Sequence, residues 1–161
     1  MTAAQTLIIE STSVAATGDV GRSLSDCLPG GLVVALTGPL GAGKTELVKG
    51  IETANRREDR CVATSPTFTL IHEYPGRLIL FHVDAYRLKS AAELTALGFD
   101  ELPRSDTAVL VEWADRVASA MPDDTLWIEL TPTGASARRF SFRATGRLSA
   151  SCLSALREQL G

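Results

Sequence analysis

At 161 residues, the chain suits one α/β domain with a full hydrophobic core and is short for two. Its 45% hydrophobic and 22% charged residues are ordinary for a soluble globular protein, and no stretch approaches the ~18 consecutive apolar residues of a membrane-spanning helix. The formal net charge of −3 argues against a surface that grips DNA or RNA unaided, although action on RNA through a partner stays open.

Residues 1–10 carry no basic segment and only Leu7-Ile8-Ile9 as an apolar run, so no secretory signal is expected there. Residues 6–9 read as a short strand. Ser11 or Ser13 can then cap a helix with Val14, Gly21, Leu24 and Leu28 on one face, and Pro29-Gly30-Gly31 stops it. Cys27, Cys61 and Cys152 are far apart and lack metal spacing, so they are expected to be reduced thiols in a cytoplasm.

Residues 32–37, Leu-Val-Val-Ala-Leu-Thr, read as a buried parallel strand. The eight residues that follow, Gly38-Pro39-Leu40-Gly41-Ala42-Gly43-Lys44-Thr45, fit G-x-x-x-x-G-K-[ST] at every specified position. Beyond them Leu47, Val48, Ile51 and Ala54 recur on one helical face. Strand, glycine loop and helix in that order are the context in which this pattern binds a nucleotide. Gly41 and Gly43 lack a Cβ and let the loop curl until its N–H groups converge on phosphate, with Gly38 and Ala42 also expected to bind the nucleotide, and the following helix adds its positive end. Lys44 is expected to reach the β- and γ-phosphates of ATP or ADP, and the Thr45 hydroxyl to bind Mg²⁺.

Residues 55–60 are expected to be a solvated charged loop. Residues 64–70 cluster hydroxyls around Pro66, where a P-loop protein can carry a nucleotide-responsive loop, with Thr67 or Thr69 the candidate phosphate or metal contact. Residues 69–74 read as a strand. Two further apolar strands, 77–84 and 108–112, end in Asp84 and Glu112. A P-loop site needs an acid at the carboxyl end of a neighbouring strand to hold Mg²⁺ or its water shell, and spacing does not choose between these two. Arg87 is a candidate to face the phosphates or to form a structural ion pair. A helix over 91–97 ends at Gly98. His72 and His82 have no metal-spaced companions and are expected to be satisfied strand histidines, while Trp113 could cover the site or pack in the core. Strands at 126–131 and 138–144 and a helix at 149–159 close the chain. Arg138, Arg139, Arg143 and Arg147 there are expected to form an ordinary charged face. The whole, 1–161, reads as a single α/β P-loop NTPase domain with a mostly parallel central sheet, flanking helices and antiparallel C-terminal strands.

Four motifs occur in order: Gly41-Ala42-Gly43-Lys44-Thr45, Ser65-Pro66-Thr67-Phe68-Thr69-Leu70, His82-x-Asp84-x-Tyr86-Arg87-Leu88 and Glu112-Trp113. Together they resemble the TsaE family of small bacterial P-loop ATPases over most of 32–113. The resemblance implies an ATPase that supports formation of N6-threonylcarbamoyladenosine in tRNA by docking on a TsaB–TsaD pair, touching tRNA indirectly and neither DNA nor membrane. By position, it makes Thr45 and Glu112 the Mg²⁺ ligands and Lys44 the phosphate holder. It also puts Asp84 near the metal's water shell or the attacking water, and the adenine near Val14 to Thr17. Two departures stand out: Pro39 replaces the family's usual aspartate, and Asp115 occupies the acidic position after Glu112-Trp113.

Two rival functions share the P-loop. A small-molecule kinase needs an arginine-bearing lid, yet residues 91–106 hold only Arg104. A pure binding module would use ATP as a conformational ligand alone. No residue stands out as an arginine finger supplied in cis, so slow turnover is expected for the lone chain.

Overall fold

The computed structural model describes residues 5–56 and 70–160. Thr67 and Thr69, most of the 64–70 hydroxyl cluster and Cys61 lie outside the described residues. Among the described residues, seven strands form one sheet: β1 (Gln5–Ser11), β2 (Val33–Thr37), β3 (Ile71–Tyr74), β4 (Ile79–Asp84), β5 (Thr107–Glu112), β6 (Thr125–Pro132) and β7 (Arg138–Ala144). Their spatial order is β1-β7-β6-β2-β5-β4-β3. The three central pairings, β6 with β2, β2 with β5 and β5 with β4, are parallel. The flanking pairings of β1 with β7, β7 with β6 and β3 with β4 are antiparallel. The mostly parallel centre and antiparallel C-terminal strands are those expected from sequence.

The central strands are buried on both faces. Val34 and Leu36 of β2 pack with Leu110, Leu126 and Ile128 under α1 (Val14–Cys27), α2 (Lys44–Asn55) and α4 (Arg147–Leu160). On the other face, Val33 and Ala35 join Phe81, Val83, Val109 and Val111 against Leu94 of α3 (Ala91–Ala96) and Phe99. This two-sided burial explains why β2 and β5 read as continuous apolar runs while β1 alternates.

Ser13 caps α1, accepting from the Ala16 amide at 3.0 Å. Val14, expected on the buried face, is 53% exposed at the first position of the helix. Leu28 is the residue that caps the helix rather than part of it, although its side chain is still buried. The core-facing stripe begins at Thr17 and runs through Val20, Gly21 and Leu24. α1 lies tightly on α2: a Cβ built on Gly50 would stand 2.2 Å from the Gly18 carbonyl oxygen, and one on Gly21 would stand 2.4 Å from that of Leu47. Only glycine allows this approach, and it brings the start of α1 beside the glycine loop.

Asn55 corrects one expectation. It belongs to α2 rather than to a solvated loop, and it is buried with its side-chain amide donating to the Leu78 carbonyl at 2.8 Å and accepting from the Leu78 amide at 3.0 Å. The sequence places it beside charged residues, but a buried backbone gap before β4 supplies partners for both ends of its amide.

Candidate nucleotide site

The glycine loop leaves β2 at its carboxyl end and turns into α2. Gly38, Gly41 and Gly43 take φ values of 142°, 79° and 101°, which L side chains adopt at a cost. The Ala42 amide donates to the Pro39 carbonyl at 3.1 Å and closes the turn. Pro39, the departure from the family pattern, therefore contributes the one backbone group a proline keeps.

Lys44 is only 5% exposed. Its ammonium donates to the Gly38 carbonyl and, at 3.0 Å, to the Pro39 carbonyl, and it lies 3.8 Å from the centre of the Trp113 ring. Burial lowers its pKa, and Glu112, Asp115 and Asp84, in that order, oppose the shift. The charge is thus held by its own loop and by an aromatic face. Such a pose can be exchanged for an anion without stranding a bare ammonium.

Trp113 reaches that position through backbone strain. It is the one non-glycine residue with positive φ among the described residues, at 59°, directly after β5. The left-handed turn costs about 1–2 kcal/mol and aims the indole at the loop. Tyr86 packs on it at 5.0 Å between ring centres, and Arg116 lies 4.9 Å from the Tyr86 ring. Trp113 therefore both faces the glycine loop and packs on the core that holds Val83 and Val111, combining the two roles its sequence position allows.

A cavity of about 260 Å³ runs along the loop, walled by its residues 40–46 together with Glu112, Trp113 and Arg138. Glu112 is 7% exposed, and its carboxylate lies 2.6 Å from Nε2 of His82. The other ring nitrogen of His82 faces Glu52 of α2 at 3.7 Å. Burial would lower the His82 pKa, but hydrogen bonding and charge from Glu112, followed by Glu52, outweigh it and raise the value. Burial raises that of Glu52.

Asp84 pairs in register with Glu112 across β4 and β5, so both acids end at the same height. Asp84 is exposed and turns to accept from the Tyr86 amide at 3.0 Å, whereas Glu112 forms part of the cavity wall. Among the described residues, no group of three or more His, Cys, Asp or Glu side chains is placed to hold a metal. A cation bound here would share its coordination with phosphate oxygens and water, as Mg²⁺ does in P-loop sites. The Thr45 hydroxyl, the Glu112 carboxylate and the loop amides are a donor set that fits Mg²⁺ with a nucleotide.

Val14 stands at the exposed first turn of α1, and Thr17, buried one turn on, has its methyl 3.7 Å from where a Cβ on Gly43 would lie. Arg87 is exposed in the short turn Ala85–Arg87 and does not line the cavity. Arg104 precedes β5, at the end of the strand remote from Glu112, where it pairs with Asp106 at 3.7 Å.

Three contributors escaped sequence reasoning. From the sequence alone His82 is an ordinary strand histidine, and nothing local signals that its partner is Glu112, 30 residues on. Glu52 had no assigned role. Arg138 was grouped with a charged face, but one of its terminal nitrogens donates to the Gly41 carbonyl at 2.9 Å and it forms part of the cavity wall. Strand alternation is the signal that could have separated it from its neighbours.

The sequence profile of the family described as "Threonylcarbamoyl adenosine biosynthesis protein TsaE" matches residues 11–140. The Treponema pallidum "tRNA threonylcarbamoyladenosine biosynthesis protein TsaE" is 42% identical over 111 residues, covering 69% of this chain and 78% of the relative. Its namesake from Bacillus subtilis is 39% identical over 117 residues, covering 72% of each. The Mycobacterium bovis protein of the same name is 38% identical over 138 residues, covering 80% of each. The crystal structure of Bacillus subtilis YdiB superposes with a TM-score of 0.82 at 28% identity, covering all of both chains.

Proposed function

The chain belongs to the TsaE family, and on that premise we propose that it is a Mg²⁺-dependent, slowly hydrolysing ATPase supporting N6-threonylcarbamoyladenosine modification of tRNA through a TsaB–TsaD pair. One observation carries the ATPase part: Lys44, Thr45 and Glu112 wall a single cavity where β2 and β5 end.

The loop amides and the α2 terminus bind the phosphate chain, and Lys44 leaves the carbonyls of Gly38 and Pro39 to neutralise charge on the β- and γ-phosphates. Thr45 and Glu112 would hold Mg²⁺, which would supply positive charge beside the phosphate oxygens. Asp84, at the same height one strand away, orients water near the metal. His82 keeps the buried Glu112 carboxylate in place. Trp113 shields the cavity from water. Val14 and its neighbours in the first turn of α1 flank the adenine, and Thr67 is the hydroxyl proposed to sense the γ-phosphate.

A kinase lid receives no support from the region between β4 and β5. Within residues 91–106 the one arginine, Arg104, sits at the opposite end of β5 from Glu112, and Arg87, just after β4, does not line the cavity.

The test is steady-state Mg-ATP turnover by the purified chain, alone and with a TsaB–TsaD pair. Slow turnover that rises with the pair is expected. Brisk turnover by the lone chain would refute partner dependence, and phosphorylation of a small acceptor would favour the kinase. ATP binding with no turnover in either setting would leave a binding module.

A further inference from the structure

Of the four arginines in the most basic part of the chain, Arg147 opens α4, and strand geometry separates the three on β7. Along β7, residues 138, 140, 142 and 144 share one face, and Phe140, Phe142 and Ala144 on it are buried beneath the helices. Arg139 points to the other face and pairs with Glu10 at 2.7 Å, and Arg143 on that face lies 5.6 Å from the Trp127 ring. Arg138 therefore projects to the side of the sheet that carries α2 and the glycine loop.

β7 runs antiparallel to β6, with Arg138 opposite Pro132. β6 runs parallel to β2, so the β6–β7 turn stands at the end of the sheet where the loop leaves β2. One terminal nitrogen of Arg138 donates to the carbonyls of Gly134 at 3.1 Å and Ala137 at 2.8 Å, and the other to the Gly41 carbonyl. These contacts use both ends of the guanidinium fork. The Nε–H remains. Among the described residues, Arg138 Nε is the one buried side-chain nitrogen or oxygen without a hydrogen-bond partner. It lies 3.5 Å from where a Cβ on Gly43 would stand, against the turn that presents the loop amides, in a side chain that walls the cavity.

A buried donor left unmet costs about 1–3 kcal/mol, and a guanidinium N–H is among the strongest donors to phosphate. We propose that Arg138 is a nucleotide-contacting residue: its Nε–H donates to a phosphate oxygen of the bound nucleotide while its terminal nitrogens hold the loop and the β6–β7 turn. The proposal rests on the cavity's taking a nucleotide, and it adds a cation that the P-loop motif does not contain. Phosphate occupancy is thereby linked to the turn over residues 133–137, since one side chain holds both.

The experiment is a ¹H–¹⁵N spectrum of the full chain, following the Arg138 Nε–H peak, assigned through its own side-chain carbons and absent from Arg138→Lys. Inorganic pyrophosphate and ADP, each with Mg²⁺, are the probes. Both are expected to move this peak and slow its exchange with solvent together with the backbone N–H groups of Gly43 and Lys44. Arg138→Lys and Arg138→Gln are expected to bind both probes about tenfold or more weakly. If the Gly43 and Lys44 amides respond and the Arg138 Nε–H does not, Arg138 is a brace only and the proposal is overturned. If none responds to either probe, the nucleotide reading of the cavity fails and takes the proposal with it.

Discussion

His82 on β4 and Glu112 on β5 meet diagonally across the sheet, 2.6 Å from Nε2 to the carboxylate, although register sets His82 opposite Leu110. The contact fixes a nearly buried acid in the wall of the cavity, and its charge state ties stability to pH. The folded pKa of His82 is raised above its ordinary value of 6.5. The stabilisation is therefore complete below about 6.5 and is lost as pH rises through the folded value. Urea unfolding of the metal-free chain should show stability falling across that window, and His82→Asn should flatten the slope. An unchanged slope in the variant would separate the titration from this pair.

Gly50 predicts a packing defect far from the chemistry. Gly50→Ala drives a methyl toward the Gly18 carbonyl oxygen, 2.2 Å from the ideal Cβ, so α1 must move off α2. A loss of about 1–3 kcal/mol and a melting point lower by several degrees are expected. Gly18→Ala is the control, because a Cβ there meets nothing within 4 Å. Equal losses at both positions would point to helix propensity rather than contact.

Asn55→Leu keeps the side chain's size while leaving the Leu78 amide and carbonyl without their partner. Two buried backbone groups unmet should cost about 2–4 kcal/mol by chemical denaturation. Asn55→Asp should recover only the contact from the Leu78 amide. A neutral Asn55→Leu would mean that water reaches this strand entry.

Trp113 should report phosphate binding by its fluorescence. In a Trp127→Phe background, saturating ADP is expected to change the Trp113 emission as Lys44 leaves the ring it now faces at 3.8 Å. Lys44→Met should remove that response and weaken ADP binding at least tenfold. Calorimetric binding of ADP with no change in emission would mean that the lysine stays against the indole.

The centre of this molecule was legible because its signals are local. An apolar run, a glycine loop and a helical repeat specify β2, the loop and α2 within 24 residues of chain, 32–55, and β7 occupies the 138–144 expected for it. Asp84 and Glu112 could not be ranked, since both end apolar strands. What separates their surroundings is the path after each strand: a short turn whose Tyr86 amide engages Asp84, and a left-handed Trp113 after Glu112. The place of Arg138 depends on strand phase and on which neighbour β7 chooses, and the His82 contact depends on a diagonal between strands. Composition carries neither.

The position of β1 has a consequence for synthesis. Among the described residues it is an edge strand paired with β7 alone, which begins 127 residues after Ser11 at Arg138. A chain emerging amino end first has to hold Gln5–Ser11 unpaired until nearly all of the sheet has left the ribosome. Leu7 and Ile9 pack on a core that Phe140 and Phe142 of β7 help to build, so a segment made well before β7 is among the last to be seated.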